Sequence, residues 1–323
     1  MDTLYVVVPC YNEEEVLPET VKRLNEKLVS LIEGGVISED SRMLFVNDGS
    51  KDSTWNIINH FCEENPLVLG VNLSRNKGHQ NALIAGLSVA KEYADMVISM
   101  DADLQDDINA IDKFVEKYYE GCEVVYGVRS QRETDTAFKR KTAEAFYKFM
   151  LYLGVDVVYN HADYRLMSKR ALYALENYKE VNLFLRGIVP LIGFKSDIVE
   201  YERSERFAGE SKYPLIKMIN FATDGITSFS VKPIRFITFG GLGIFVLSVL
   251  VLLIGGIVKL FGANVLPFYP LGCLISLMGS LQLIAIGIVG EYVGKNYMET
   301  KERPRFFIDT VNLINLPGQD TDE

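Results

Sequence analysis

Short apolar runs alternate with longer amphipathic patterns through the first two-fifths of the chain. Residues 4–8, 43–46, 68–73, 96–100 and 124–128 are apolar, several of them rich in valine. Between them, residues 17–32, 54–64, 80–93 and 108–119 place apolar side chains at helical spacing. A strand covered on both faces is continuously apolar, whereas a half-exposed strand alternates. The pattern therefore predicts an open α/β sheet, whose ligands belong at the carboxyl ends of the strands. There is no internal repeat.

Near Ile234 the pattern changes. From Phe236 to Gly290 the only charged residue is Lys259. Residues 236–258 form an apolar stretch of roughly 23 residues, long enough as a helix to cross a bilayer core of about 30 Å. A second stretch covers about 270–290, after a turn-rich segment containing Gly262, Asn264 and Pro267. Two such stretches in tandem predict a transmembrane hairpin rather than a buried helical pair. Lys232 and Arg235 precede it, and Lys295, Lys301, Arg303 and Arg305 follow it. By the positive-inside rule both ends lie in the cytoplasm, giving a multi-pass protein of the cell membrane. Just before the spans, Leu215, Met218, Ile219, Ala222, Ile226 and Phe229 recur at helical spacing, as in an interfacial helix. The expected organisation is a cytoplasmic catalytic domain at 1–211, an amphipathic juxtamembrane region at 212–233, two spans within 234–293 and a cytoplasmic tail at 294–323. Its last residues, 317–323, read as disordered.

Composition sharpens this picture. The 323 residues carry 33 Lys+Arg against 43 Asp+Glu, a net charge of −10, which argues against general nucleic-acid binding. Any phosphate must therefore meet a local basic cluster or a metal. The mean hydropathy of +0.10 reflects the two apolar stretches. Cys10, Cys62, Cys122 and Cys273 lack the spacing of a zinc site or a disulfide framework and fit a reducing compartment. The N-terminus has no signal-peptide pattern.

The polar residues gather where the strands end. The first four strands run into Pro9-Cys10-Tyr11-Asn12-Glu13, Asn47-Asp48-Gly49-Ser50, Ser74-Arg75-Asn76-Lys77-Gly78-His79-Gln80 and Asp101-Ala102-Asp103-Leu104-Gln105-Asp106. Asp101 and Asp103 repel one another unless a cation lies beside them. With Gln105 they offer hard oxygen ligands suited to Mg²⁺ or Mn²⁺, which can bridge a diphosphate. Taken alone, the pair also reads as a solvated acidic loop; its place in a series of four strand ends favours the metal. A basic series follows the fifth strand, Arg129, Arg132, Lys139, Arg140 and Lys141, with Arg206 and Lys212 before the membrane. Arginine forks bind phosphate bidentately. Of the histidines, His60 reads as structural, His79 as structural or donor-lining, and His161 has no evident partner.

These motifs, with Ala162-Asp163-Tyr164-Arg165-Leu166 and Arg206-Phe207-Ala208-Gly209-Glu210-Ser211-Lys212-Tyr213, resemble the family 2 glycosyltransferases that transfer sugar to polyprenyl phosphate. The chain looks like a bactoprenol glucosyltransferase and is similar to dolichyl-phosphate mannose synthases. The last motif is the most specific to that type. The resemblance implies a GT-A catalytic fold. It also implies that Pro9, Tyr11, Glu13 and Asp48 hold the donor nucleoside and that Asp101 and Ala102 contact the nucleotide sugar. Asp103 and Gln105 would be donor-side metal ligands, and Arg129, Arg140 and Arg206 would grip the lipid phosphate. Asp163 matches an acceptor-side acidic position and, with Asp103, is assigned a catalytic role. Position 47 often holds aspartate in the family and is asparagine here.

The implied reaction is inverting transfer from a nucleotide sugar, UDP-glucose or another UDP-hexose, to undecaprenyl phosphate for cell-envelope glycosylation. The implied partners are the donor, the lipid acceptor and the bilayer, with homo-oligomerisation left open. Two alternatives remain in view. A processive polysaccharide synthase would carry a Gln-x-x-Arg-Trp signature, but the only tryptophan, Trp55, follows Ser53-Thr54. A non-catalytic membrane scaffold would have no need of the Asp101/Asp103 pair.

Overall fold

The computed structural model describes residues 1–130, 161–181, 183–202, 239–240, 243, 257, 261 and 269–316. Its centre is an eight-stranded mixed sheet, in the order β7-β5-β6-β4-β1-β2-β3-β8. The strands are β1 (Leu4–Cys10), β2 (Arg42–Asn47), β3 (Val68–Leu73), β4 (Met96–Ser99), β5 (Val124–Arg129), β6 (His161–Ser168), β7 (Ser196–Tyr201) and β8 (Ile308–Asn312). The helices are α1 (Leu17–Glu33), α2 (Thr54–Glu64), α3 (His79–Tyr93), α4 (Ala110–Tyr119), α5 (Lys169–Glu176), α6 (Leu185–Leu191) and α7 (Tyr269–Thr300). This is the open α/β architecture expected of a GT-A-like domain, and the five strands and four helices read from the pattern all form.

Alternation along β1 explains why its sequence is apolar throughout. Leu4, Val6, Val8 and Cys10 join the core beneath α1, α2 and α4, with Leu17, Leu24, Leu28 and Phe114. Tyr5 and Val7 turn to the other layer, under α3, α5 and α6, with Leu83, Leu172 and Ile188. Helix α3 lies close against the sheet at Gly86, where an added Cβ would meet Val7 Cγ1 at 2.4 Å and Val46 Cγ2 at 2.6 Å. Only glycine permits that approach.

The central strands β3, β2, β1 and β4 are parallel, so their carboxyl ends share one edge of the sheet. Strand β6 enters antiparallel between β4 and β5, bringing its first residues, His161 to Asp163, to that same edge. Beyond α7 the chain returns to the sheet, where β8 pairs antiparallel with β3. Glu299 Oε2 near the end of α7 accepts the Val181 N–H at 2.8 Å, and Arg305 donates to the Tyr178 carbonyl, anchoring this return.

The expected amphipathic helix and most of the first span lie outside the described residues, as do residues 317–323. The second span falls on α7, some of whose side chains are also outside them. Among the described residues no helix is long and apolar enough to cross a membrane. Helix α7 nevertheless exposes Ile275, Ile284, Ile286, Val289 and Val293. Cys10, Cys62 and Cys122 are buried free thiols.

Candidate active site

The strand-end loops lock one another through backbone and side-chain hydrogen bonds. Asn12, at φ +54°, donates its N–H to Ser50 Oγ at 3.0 Å, and its Oδ1 accepts the Lys51 N–H at 2.9 Å. The Glu13 N–H reaches Thr54 Oγ1 at 2.9 Å. These bonds hold the Pro9-Cys10-Tyr11-Asn12-Glu13 turn against Asn47-Asp48-Gly49-Ser50. Pro9 is buried, while Tyr11 stands out at 39% exposure. Asp48 is buried, and its two oxygens accept the Lys77 and Gly78 N–H groups at 2.7 and 2.9 Å. Burial pushes its carboxyl upward in spite of those two donors. The Asp48 side chain thus ties the loop after β3 to the end of β2. Gly49 makes the joint possible: it sits at φ +62°, and a Cβ there would lie 2.5 Å from the Asn76 nitrogen.

The acidic loop after β4 is supported from below. Ala102 is buried and its carbonyl accepts from Thr20 Oγ1 at 2.9 Å. Leu104 takes a left-handed φ of +56°, and Asp103 Oδ1 accepts the Gln105 N–H at 3.2 Å, which closes the turn. A bulky residue in that region of backbone space is strained, as loops that clamp ligands often are. Asp101, Asp103 and Gln105 remain partly exposed at the sheet edge.

Asp106 behaves differently from its neighbours. Its side chain is only 1% exposed; Oδ1 accepts from Tyr201 OH at 2.6 Å, with Arg129 Nη2 at 3.5 Å. The other oxygen, Oδ2, is buried without a hydrogen-bond partner. Burial, then the charges of Asp101 and Asp103, pushes the carboxyl up to about 6 against the pull of Arg129. This loop carries an excess of negative charge that a divalent cation would relieve. Its hard oxygen donors suit an ion that takes one or two protein ligands and fills its shell with phosphate and water. Among the described residues, three or more His, Cys, Asp or Glu side chains nowhere gather as a metal cluster.

Across the edge stands Asp163. Ser99 Oγ donates to its carbonyl at 2.6 Å, holding the start of β6 beside β4. Arg165 Nη2 lies 2.6 Å from Asp163 Oδ1, while Arg186 Nη2 lies 3.2 Å from Oδ2 and its Nε 3.4 Å from Oδ1. Burial alone would push Asp163 up, but the charges of Arg186 and Arg165, with His79, hold it well below the usual carboxylate range. His79 opens α3, with its Nε2 3.4 Å from Asp101 Oδ1 and 3.9 Å from Asp163 Oδ2. One imidazole therefore connects the acidic loop to the carboxylate on β6.

The structure gathers Pro9, Tyr11, Glu13, Asp48, Asp101, Ala102, Asp103, Gln105, Arg129 and Asp163 along one sheet edge, and it places His79 beside Asp101 and Asp163 there. Arg129 engages Asp106 and Tyr201 on the acidic-loop side. Arg140 and Arg206 lie outside the described residues, with Arg132, Lys139, Lys141 and Lys212. Sequence reading missed Arg186, which carried no local signal, and gave Arg165 no role. Arg165 stands two residues after Asp163 on one strand, so alternation places both on the same face.

Comparison with known proteins identifies the family. The family model described as glycosyl transferase family 2 matches residues 5–175, more than half of the chain. The chain is 55% identical to the uncharacterized glycosyltransferase YkoT of Bacillus subtilis, covering 97% of this chain and 92% of that protein. It is 40% identical to the prophage bactoprenol glucosyl transferase homolog of Escherichia coli, over 95% and 98% of the two chains. It is 41% identical to the bactoprenol glucosyl transferase of Shigella phage SfX, over 94% and 97%. An edge that sets a carboxylate loop opposite an arginine-held carboxylate, within a chain matched along nearly its whole length by such relatives, is that of a glycosyltransferase, and the protein belongs to family 2.

Proposed function

We propose that this protein transfers a hexose from a uridine diphosphate sugar to a polyprenyl phosphate at the inner face of the membrane. The observation that carries the reading is the opposition of Asp101 and Asp163 across His79, with Asp101 read as the donor side and Asp163 as the acceptor side. The bactoprenol relatives support the lipid class of the acceptor. A phosphate oxygen attacks the anomeric carbon as the bond to the departing diphosphate breaks, and the configuration inverts. The acceptor is already ionised, so no proton need be removed. Asp163, held as an anion by two arginines, is correspondingly too weak a base for that task. It keeps Arg165 and Arg186 oriented and tunes their charge beside the incoming phosphate. Mg²⁺ or Mn²⁺, bound by Asp103 and Gln105 with the diphosphate, would supply neutralisation of the leaving-group charge.

On this reading Arg206, nine residues before Leu215, the first apolar position of the expected juxtamembrane helix, meets the lipid phosphate at the bilayer surface. Arg206→Ala is expected to weaken acceptor use roughly ten- to a hundredfold, as loss of a charge-assisted contact of about 1.5–3 kcal/mol implies. Donor binding should stay nearly intact, and Arg206→Lys should rescue only in part because it lacks the planar fork. Calorimetric donor binding beside acceptor titration decides this: equal losses on both sides refute the acceptor role.

The apolar stretches and their flanking basic residues support a two-span anchor, with both termini cytoplasmic. In a background lacking the four native thiols, a cysteine at Lys259 should react with an impermeant reagent in intact cells. One at Lys295 should not, and the reverse pattern refutes this orientation.

A further inference from the structure

Three side chains connect the C-terminal strand to the loop after β2. Asp309, on β8, presents Oδ2 to Asn72 Nδ2 on β3 at 3.3 Å, and the Thr310 hydroxyl donates to the same oxygen at 3.1 Å. Asn72 turns its Oδ1 to Asn47 Nδ2 on β2 at 2.7 Å. Asn47, 2% exposed, uses its own Oδ1 to accept the Ser50 N–H at 3.2 Å. Ser50 Oγ in turn takes the Asn12 N–H, and Asn12 sits between Tyr11 and Glu13.

The direction of this relay is dictated from its far end. An ionised carboxylate only accepts, so Asn72 must offer its NH₂ to Asp309 and its carbonyl oxygen to position 47. Position 47 must then donate. Asparagine can do so while its other atom accepts from Ser50; aspartate would set oxygen against oxygen in a buried place.

We infer that β8, which follows the long helix α7, is part of the donor site: Asp309 is a positioning residue that fixes the 48–51 loop through Asn72 and Asn47. The inference rests on the donor reading above and deepens it. The return of the chain from α7 would then couple the anchoring end of the protein to the shape of the nucleotide loop.

The test is a charge-and-amide swap in the full-length, detergent-solubilised protein. Binding of uridine diphosphate is measured by calorimetry, and hydrogen exchange is followed at the 48–51 amides. Asn47→Asp alone should weaken binding roughly ten- to a hundredfold, because a buried acceptor faces another acceptor. It should also speed exchange in the loop. Asp309→Asn alone should change binding only about two- to threefold, since an amide can meet Asn72 in either orientation. The double variant should recover to within about threefold of the parent, with loop protection restored, because Asn72 can now flip and donate to the new aspartate. A direct contact of residue 47 with the nucleotide, or a merely local structural role, predicts no rescue by a change on β8, and that result overturns the relay. If the parent protein binds no uridine diphosphate, the choice of nucleotide fails, while exchange in the four proteins still decides the relay.

Discussion

Asp163→Asn is expected to abolish transfer and to destabilise the catalytic domain by about 3–5 kcal/mol, the usual consequence of removing one partner from a buried ion pair. The size follows from what is left behind. Arg165 is only 2% exposed, its Nε has no hydrogen-bond partner, and its nearest counter-charge is Asp163. Without that carboxylate, two guanidiniums face each other across the site. A loss of this size is a large part of the net stability of an ordinary domain. The pH dependence has a definite sign. A carboxyl held below its ordinary value contributes stability above that value, and loses it only as pH falls through the lowered one. The stability difference between parent and variant should therefore be flat from about pH 5 to 8 and narrow only in stronger acid. Asp163 should likewise add no acid limb to the rate profile in that range. Denaturant titration at several pH values checks the first expectation. A variant as stable as the parent would show that the arginines find other partners. Pairing the change with Arg186→Gln, which removes one of the two facing positive charges, should recover part of the stability but not the activity.

Asp103→Asn should behave in the opposite way, with activity lost and the fold kept. The side chain lies at the partly exposed edge, and its Oδ1 accepts the Gln105 N–H, a bond that an asparagine oxygen can accept equally well. The turn at Leu104 should persist. On the proposed reading, what disappears is one anionic ligand for the cation that would neutralise the leaving diphosphate. Loss of a comparable electrostatic stabiliser lowers turnover by about 10²–10³. Because the deficit lies in metal affinity as well as in charge, raising Mn²⁺ should restore part of the rate, and the metal concentration for half-maximal activity should rise. Unchanged activity and unchanged metal dependence would remove Asp103 from the ligand set. Melting temperature within a degree or two of the parent would separate this outcome from misfolding.

Much of the fold was legible because burial on both faces leaves a mark in one dimension. The runs at 68–73 and 54–64 coincide with β3 and α2, and the other early elements differ from expectation by a few residues at their ends. The loops that carry chemistry were legible for a related reason: polar residues that interrupt apolar runs in order must cluster at one edge of a parallel sheet. Strand β6 escaped notice because its Asp163 and Arg165 make it look like a polar loop. In the fold those charges answer each other and Arg186, so the strand can lie inside the sheet. Strand β8 escaped for another reason. Its five residues, Ile308–Asn312, have too little pattern of their own, and their partner β3 lies more than two hundred positions earlier.

The sequence by itself determined the alternating α/β plan, the strand-end motifs of a family 2 glycosyltransferase and the apolar C-terminal stretches, because each is written in local periodicity or in contiguous residues. Only the tertiary structure decided that Arg186 and Arg165 clasp Asp163, that His79 stands between Asp101 and Asp163, and that Asp309 reaches the 48–51 loop through Asn72 and Asn47. Those relations depend on hydrogen-bond direction and charge pairing between segments far apart in the chain, and such pairings come into being only when the sheet brings its edges together.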